Sequence, residues 1–114
     1  MKSRQVWPPV IVVRANVPLD LLPQFLRWYR ESHLPTVMAI PGIVKAFRAQ
    51  CRRYGITWAA VYQLRDEGAL QLALESAQAQ KAREEWQAWL PFVGEISVEV
   101  LAGLVPLPAY HHWN

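Results

Sequence analysis

Four short apolar runs alternate with two longer stretches of helical period. Val10-Ile11-Val12-Val13-Arg14-Ala15 is β-branched, follows Pro8-Pro9 and predicts a strand. Apolar residues at successive positions predict that both of its faces are covered. Asp20 is a candidate N-cap for the next element, with Pro23 tolerated in the first turn. Leu22, Phe25, Leu26, Tyr29 and His33 then recur on one helical stripe, and Gln24, Arg27 and Glu31 form the wet face opposite. Pro35 is expected to stop this helix, because the residue before a proline avoids helical geometry. Pro41-Gly42 marks a turn.

Ile43 to Cys51 and Ile56 to Leu64 predict two strands. Their short link, Arg52-Arg53-Tyr54-Gly55, makes them an expected antiparallel hairpin. A second helical region spans about Glu67 to Leu90 in two phases. Leu70, Ala73, Leu74 and Ala77 share one stripe; Ala82, Trp86, Trp89 and Val93 share another. Lys81 would fall on the first stripe of an unbroken helix, so a break is expected between Ser76 and Lys81. Pro91 and Gly94 close the region, and Ile96 to Leu104 predicts the last strand.

The order β-α-β-β-α-β predicts an α+β, ferredoxin-like fold: a four-stranded antiparallel sheet with two helices on one face. In the third strand Trp58, Ala60, Tyr62 and Leu64 share one parity, and Val61 belongs to the other. In the fourth, Ile96, Val98 and Val100 oppose Leu101. Both sheet faces therefore carry large apolar residues, and two helices cover only one. The expected partner for the second face is the sheet of a second copy, in a homodimer.

Composition strengthens that expectation. The 114 residues are 53% hydrophobic with six tryptophans, more apolar material than one small domain hides easily. The length fits a single domain over 1–114, with a core of about 8–104 and a tail from Val105 to Asn114. The net charge of +3 is modest, and the densest basic run, Arg48 to Arg53, is too short for a nucleic-acid surface. One cysteine, Cys51, excludes an internal disulfide. The early apolar run is too short for a signal-peptide core or a membrane span, so a cytoplasmic protein without membrane partners is expected.

His33 is the most informative candidate, since its helical phase aims the imidazole at the sheet. There it is either a structural histidine holding a backbone carbonyl or a general acid–base group in a pocket wall. Tyr29 and Tyr62 are its natural companions, because a buried phenol needs a hydrogen-bond partner from structure or ligand. Arg48 interrupts an apolar-alternating strand, where a cation can bind a carboxylate or simply meet solvent. Phe25, Trp58, Trp86 and Trp89 are core or pocket wall. No glycine-rich phosphate loop or nucleophile elbow is present, and adjacent His111 and His112 make a poor metal-ligand pair. Haem remains an alternative, since an axial ligand needs only one histidine, His33.

Trp28-Tyr29-Arg30-Glu31-Ser32-His33-Leu34-Pro35, with Pro41-Gly42 and a strand after it, resembles the EthD-like branch of the dimeric α/β-barrel superfamily. Ala60-Val61-Tyr62-Gln63-Leu64-Arg65-Asp66, then Glu85-Trp86 and Trp89-Leu90-Pro91, extend the likeness over roughly residues 10–102. The resemblance implies sheet-to-sheet dimers with a cavity between each sheet and its helices. It also implies activities ranging from cofactor-free monooxygenases, cyclases and isomerases to haem enzymes and binding proteins. The family's helix-exit histidine corresponds to His33. These readings lead to a cofactor-independent enzyme for a small hydrophobic aromatic or polyketide-like carbonyl compound. His33 would move the proton, Tyr29 or Tyr62 would hold the oxyanion, and Arg48 an acidic group. A non-catalytic binder of a small hydrophobic molecule is the alternative.

Overall fold

β-branched and aromatic runs set the four strands, and alternating phase sets their faces. A computed structural model describes residues 6–50 and 57–107. Its strands are β1 (Val10–Ala15), β2 (Ile43–Ala49), β3 (Trp58–Leu64) and β4 (Ile96–Leu101). They form one sheet of order β2-β3-β1-β4, antiparallel throughout. Register places Ile11 beside Tyr62 and Val100, and Val13 beside Ala60 and Val98. Those residues, with Ala15 and Trp58, therefore share the helix-covered face.

The first helical region runs further than expected. It opens with a single 3-10 turn over Leu19–Leu21, with Pro18 as the cap residue and no side-chain cap, so Asp20 lies inside the turn rather than capping it. It continues as α1 (Leu22–Trp28), a π turn (Tyr29–His33) and α2 (Leu34–Met38). Pro35 does not stop it. The π turn closes with Leu34 N–H on Tyr29 O, five residues back, and Pro35 then occupies the first turn of α2, where a missing N–H is tolerated. The wider turn also keeps phase. Phe25, Tyr29, His33 and Val37 are all buried. In an ideal α-helix each four-residue step overshoots a full turn by about 40°, so four such positions would rotate off the core. The π turn winds back part of that drift.

The second region breaks where the two stripes predicted. Asp66 caps its start, accepting from Ala69 N–H at 2.9 Å. α3 (Leu70–Glu75) ends at Ser76, which is extended. Ser76 Oγ donates to Ala73 O at 2.8 Å and accepts from Ala79 N–H at 3.0 Å, closing one helix and capping the next, α4 (Ala77–Glu85). Ala77 is exposed rather than on the buried stripe, because the break at Ser76 turns the phase there. Pro91 sits in the first turn of α5 (Leu90–Val93) and does not close the region; Gly94, at φ 68°, does.

Strand ends are shorter than the apolar runs. β2 ends at Ala49, and Cys51 to Ile56 lie outside the described residues, as do Tyr110, His111, His112 and Trp113. β4 ends at Leu101 rather than Leu104, because the chain turns through Gly103 at φ 70°; Leu104 pairs singly with Trp7. The sheet face away from the helices is mixed rather than wholly apolar. Val10, Val12, Val61, Phe47 and Leu101 share it with Lys45, Gln63 and the Arg14–Glu99 ion pair. Phe47 is 53% exposed there.

Candidate active site

Sheet, π turn and α4 converge on a cavity of about 190 Å³ between the helices and the sheet. Ile11 and Val13 of β1, Tyr62 of β3 and Val98 of β4 form its floor; His33, Val37, Ala79, Ala82 and Trp86 are among its walls. The space exists because α4 presents Ala79 and Ala82 to the sheet where larger residues would fill it. Val98, on the helix-covered face, is nevertheless 59% exposed, and Arg83 is also exposed. The mouth therefore lies between α4 and β4.

His33 is only 2% exposed, yet it reaches this cavity. Its ring is fixed on three sides. Trp28 stacks on it at 4.8 Å between centroids, Trp86 meets it edge-on at 5.2 Å, and Glu85 Oε1 lies 2.8 Å from Nδ1. The second oxygen of Glu85 accepts from Thr36 Oγ1 at 2.7 Å, so the carboxylate is itself held. A carboxylate only accepts, so Nδ1 carries the proton and donates it, and Nε2 keeps its lone pair. Among the described residues nothing bonds Nε2. Burial lowers the His33 pKa, and the hydrogen bond and charge of Glu85 oppose that shift without cancelling it. The imidazole is neutral at pH 7, with an oriented basic nitrogen.

Tyr29 and Tyr62 hydroxyls are 2.8 Å apart. Burial raises the pKa of both; for Tyr62 the neighbouring Tyr29 adds to the rise, while for Tyr29 the Tyr62 hydrogen bond and the Arg48 charge offset part of it. Both phenols are protonated at neutral pH. When Tyr29 donates to Tyr62, the Tyr62 proton is free to donate into the cavity it lines. An oriented base and a neutral O–H donor thus share one apolar chamber. That pairing suits proton abstraction beside a carbonyl whose oxygen takes up charge.

Of the residues singled out from sequence, His33, Tyr62 and Trp86 line the cavity. Tyr29 stands behind Tyr62. Phe25 and Trp58 are fully buried beneath the site, where Phe25 stacks on Tyr29 and tilts against Trp86 while Trp58 meets both edge-on, and Trp89 packs on Phe25 and Trp28. Arg48 is exposed, in register with Ala60, and acts on the site only through its charge on Tyr29. Glu85, Thr36 and Arg83 were not foreseen. Thr36, three residues after His33, lies beyond Pro35, where the sequence predicts a stop. Among the described residues no three His, Cys, Asp or Glu side chains group as metal ligands. The cavity is smaller than the roughly 300–1,000 Å³ of sites for drug-sized ligands.

No family model and no curated protein matches the sequence. Solved structures do match in shape. An ethyl tert-butyl ether D (EthD) family protein from Bacillus halodurans superposes with a TM-score of 0.67 at 16% identity, over 85% of this chain and 99% of its own. The fold is EthD-like. HapK from Hahella chejuensis matches at TM-score 0.59 and 17% identity, over 92% of this chain and 99% of its own. SnoaB, a cofactor-independent oxygenase from Streptomyces nogalater, matches at 0.57 and 16%, over 89% and 97%. At these identities the likeness concerns the fold alone, a four-stranded antiparallel sheet covered on one face by helices. No helix among the described residues is long and apolar enough to cross a membrane.

Proposed function

We propose that this protein is a cofactor-independent enzyme that moves a proton at the carbon beside a carbonyl in a small hydrophobic, aromatic compound. The observation that carries this reading is the neutral His33, with Nδ1–H bound to Glu85 and no bond to Nε2 among the described residues, lining an apolar cavity together with Tyr62. Nε2 takes the α-proton, the C–H electron pair becomes the enolate double bond, and Tyr62 donates to the oxygen that gains the charge. Return of the proton gives isomerisation, attack on an internal carbonyl gives cyclisation, and reaction of the anion with O₂ gives oxygenation. All three share the first step. SnoaB, of the same fold, is an oxygenase without a cofactor, which supports the class. The cavity volume favours one ring, or part of a larger ring system, over an enclosed polycycle. The mixed outer face of the sheet is the proposed homodimer contact.

The test is deuterium uptake at the methyl group of aryl methyl ketones in D₂O, followed by proton NMR. Wild type should accelerate exchange, and His33→Gln should lose about 10²- to 10⁴-fold of that acceleration while still binding the ketone. Exchange that survives His33→Gln overturns the mechanism. Binding without any exchange in the wild type leaves a ligand-binding protein, a reading favoured by the almost wholly apolar wall.

A further inference from the structure

We infer that the cavity selects substrates carrying a carboxylate, which Arg83 binds at the mouth. Arg83 lies on α4 on the stripe that faces the cavity, one turn after Ala79 and one before Trp86, and among the described residues that line it Arg83 alone carries a fixed charge. Its guanidinium donates to two neutral acceptors, Leu74 O at 3.4 Å and Gln80 Oε1 at 3.0 Å. Among the described residues it forms no ion pair. The neighbouring carboxylates are engaged elsewhere. Glu84 accepts from the Gln80 amide at 3.0 Å, and Glu85 is shared by His33 and Thr36. A guanidinium has five N–H donors in a planar fork that matches a carboxylate, and among the described residues only two of the five are engaged.

Position and size narrow the ligand. His33 and Tyr62 belong to the buried end, Arg83 and Val98 to the exposed end. An apolar cavity of about 150 Å³ admits benzene, so one of about 190 Å³ takes a single ring with short substituents. A carboxylate placed at the mouth meets Arg83 while keeping part of its hydration, so it avoids the full cost of burying a charge. The substrate class is an aromatic keto acid, carbonyl inward and carboxylate outward. The carbonyl end rests on the proton-transfer reading above; the carboxylate end does not.

The probes are 4-acetylbenzoate and its uncharged isostere 4-acetylbenzamide, titrated by calorimetry at low salt into wild type, Arg83→Gln and Arg83→Lys. Wild type should bind the carboxylate about tenfold more tightly than the amide, the low end for a charge-assisted contact at a solvated rim. Arg83→Gln should erase that preference without changing affinity for the amide, and Arg83→Lys should keep part of it. Equal affinities in wild type, a preference that survives Arg83→Gln, or failure of both probes to bind overturns the inference. His33→Gln should retain the preference. If wild type shows the Arg83-dependent preference but no deuterium exchange, the proton-transfer reading fails and the carboxylate site stands.

Discussion

Replacing Glu85 by alanine tests the core of the site, because one carboxylate holds both His33 and Thr36. The His33 ring stays buried, so its Nδ1–H loses a charged acceptor with little access to water. A hydrogen bond to a charged group is worth about 1.5–3 kcal/mol, and leaving a buried donor unpaired costs a similar amount. Glu85 is itself 21% exposed, so water replaces part of the loss, and the net cost should be about 2 kcal/mol. That corresponds to a fall in melting temperature of roughly 10 °C. Glu85→Gln, which can still accept from Nδ1, should lose less. The two effects of Glu85 on His33 both raise its pKa, so their removal lowers it further. Unfolded histidine takes up its proton near pH 6.5. Folded wild type does so only at lower pH, so stability is full above that value and falls as pH drops toward the lowered one. In Glu85→Ala this window extends further into acid. Urea unfolding at pH 7 and pH 5, with the His33 ring followed by NMR, measures both effects. A stability change under about 0.5 kcal/mol, or a His33 midpoint that rises, would refute the reasoning.

Gly42 adopts φ 94°, and a Cβ there would stand 2.8 Å from Ala69 Cβ, so Gly42→Ala should cost about 2–3 kcal/mol in urea unfolding. A cost below about 0.5 kcal/mol would mean that the turn relaxes freely. Light scattering at micromolar concentration should report a homodimer, and Phe47→Lys should shift it toward monomer. A monomeric wild type would remove the proposed role of the outer sheet face.

Strands, the order of elements and the helix break were legible because each rests on a local signal: β-branched runs, turn residues, and a phase conflict at Lys81. His33 and Tyr62 were legible because helical and strand parity aim them at one face, and that face is where the cavity lies. Glu85 and Thr36 were not. Glu85 precedes Trp86 on a helix flank that reads as solvent-facing, and its value arises only from docking against a residue 52 positions away. Arg48 and Arg83 exchanged prominence for a similar reason. An arginine in an apolar strand draws attention, whereas one among helical glutamates reads as surface, until packing opens a cavity beside it. The reach of the first helix past Pro35 was hidden because a π turn has no sequence signature as plain as a proline.

The His33–Glu85 bond joins the two β-α-β halves of the chain, and it is what gives the imidazole its proton arrangement. A molecule whose second half has come loose still possesses the histidine, but without an oriented basic nitrogen or an enclosed chamber. The proposed chemistry is therefore tied to complete assembly. If the proposed proton transfer holds, a partly open molecule is inert rather than indiscriminate, and no carbanion forms in a half that has come loose.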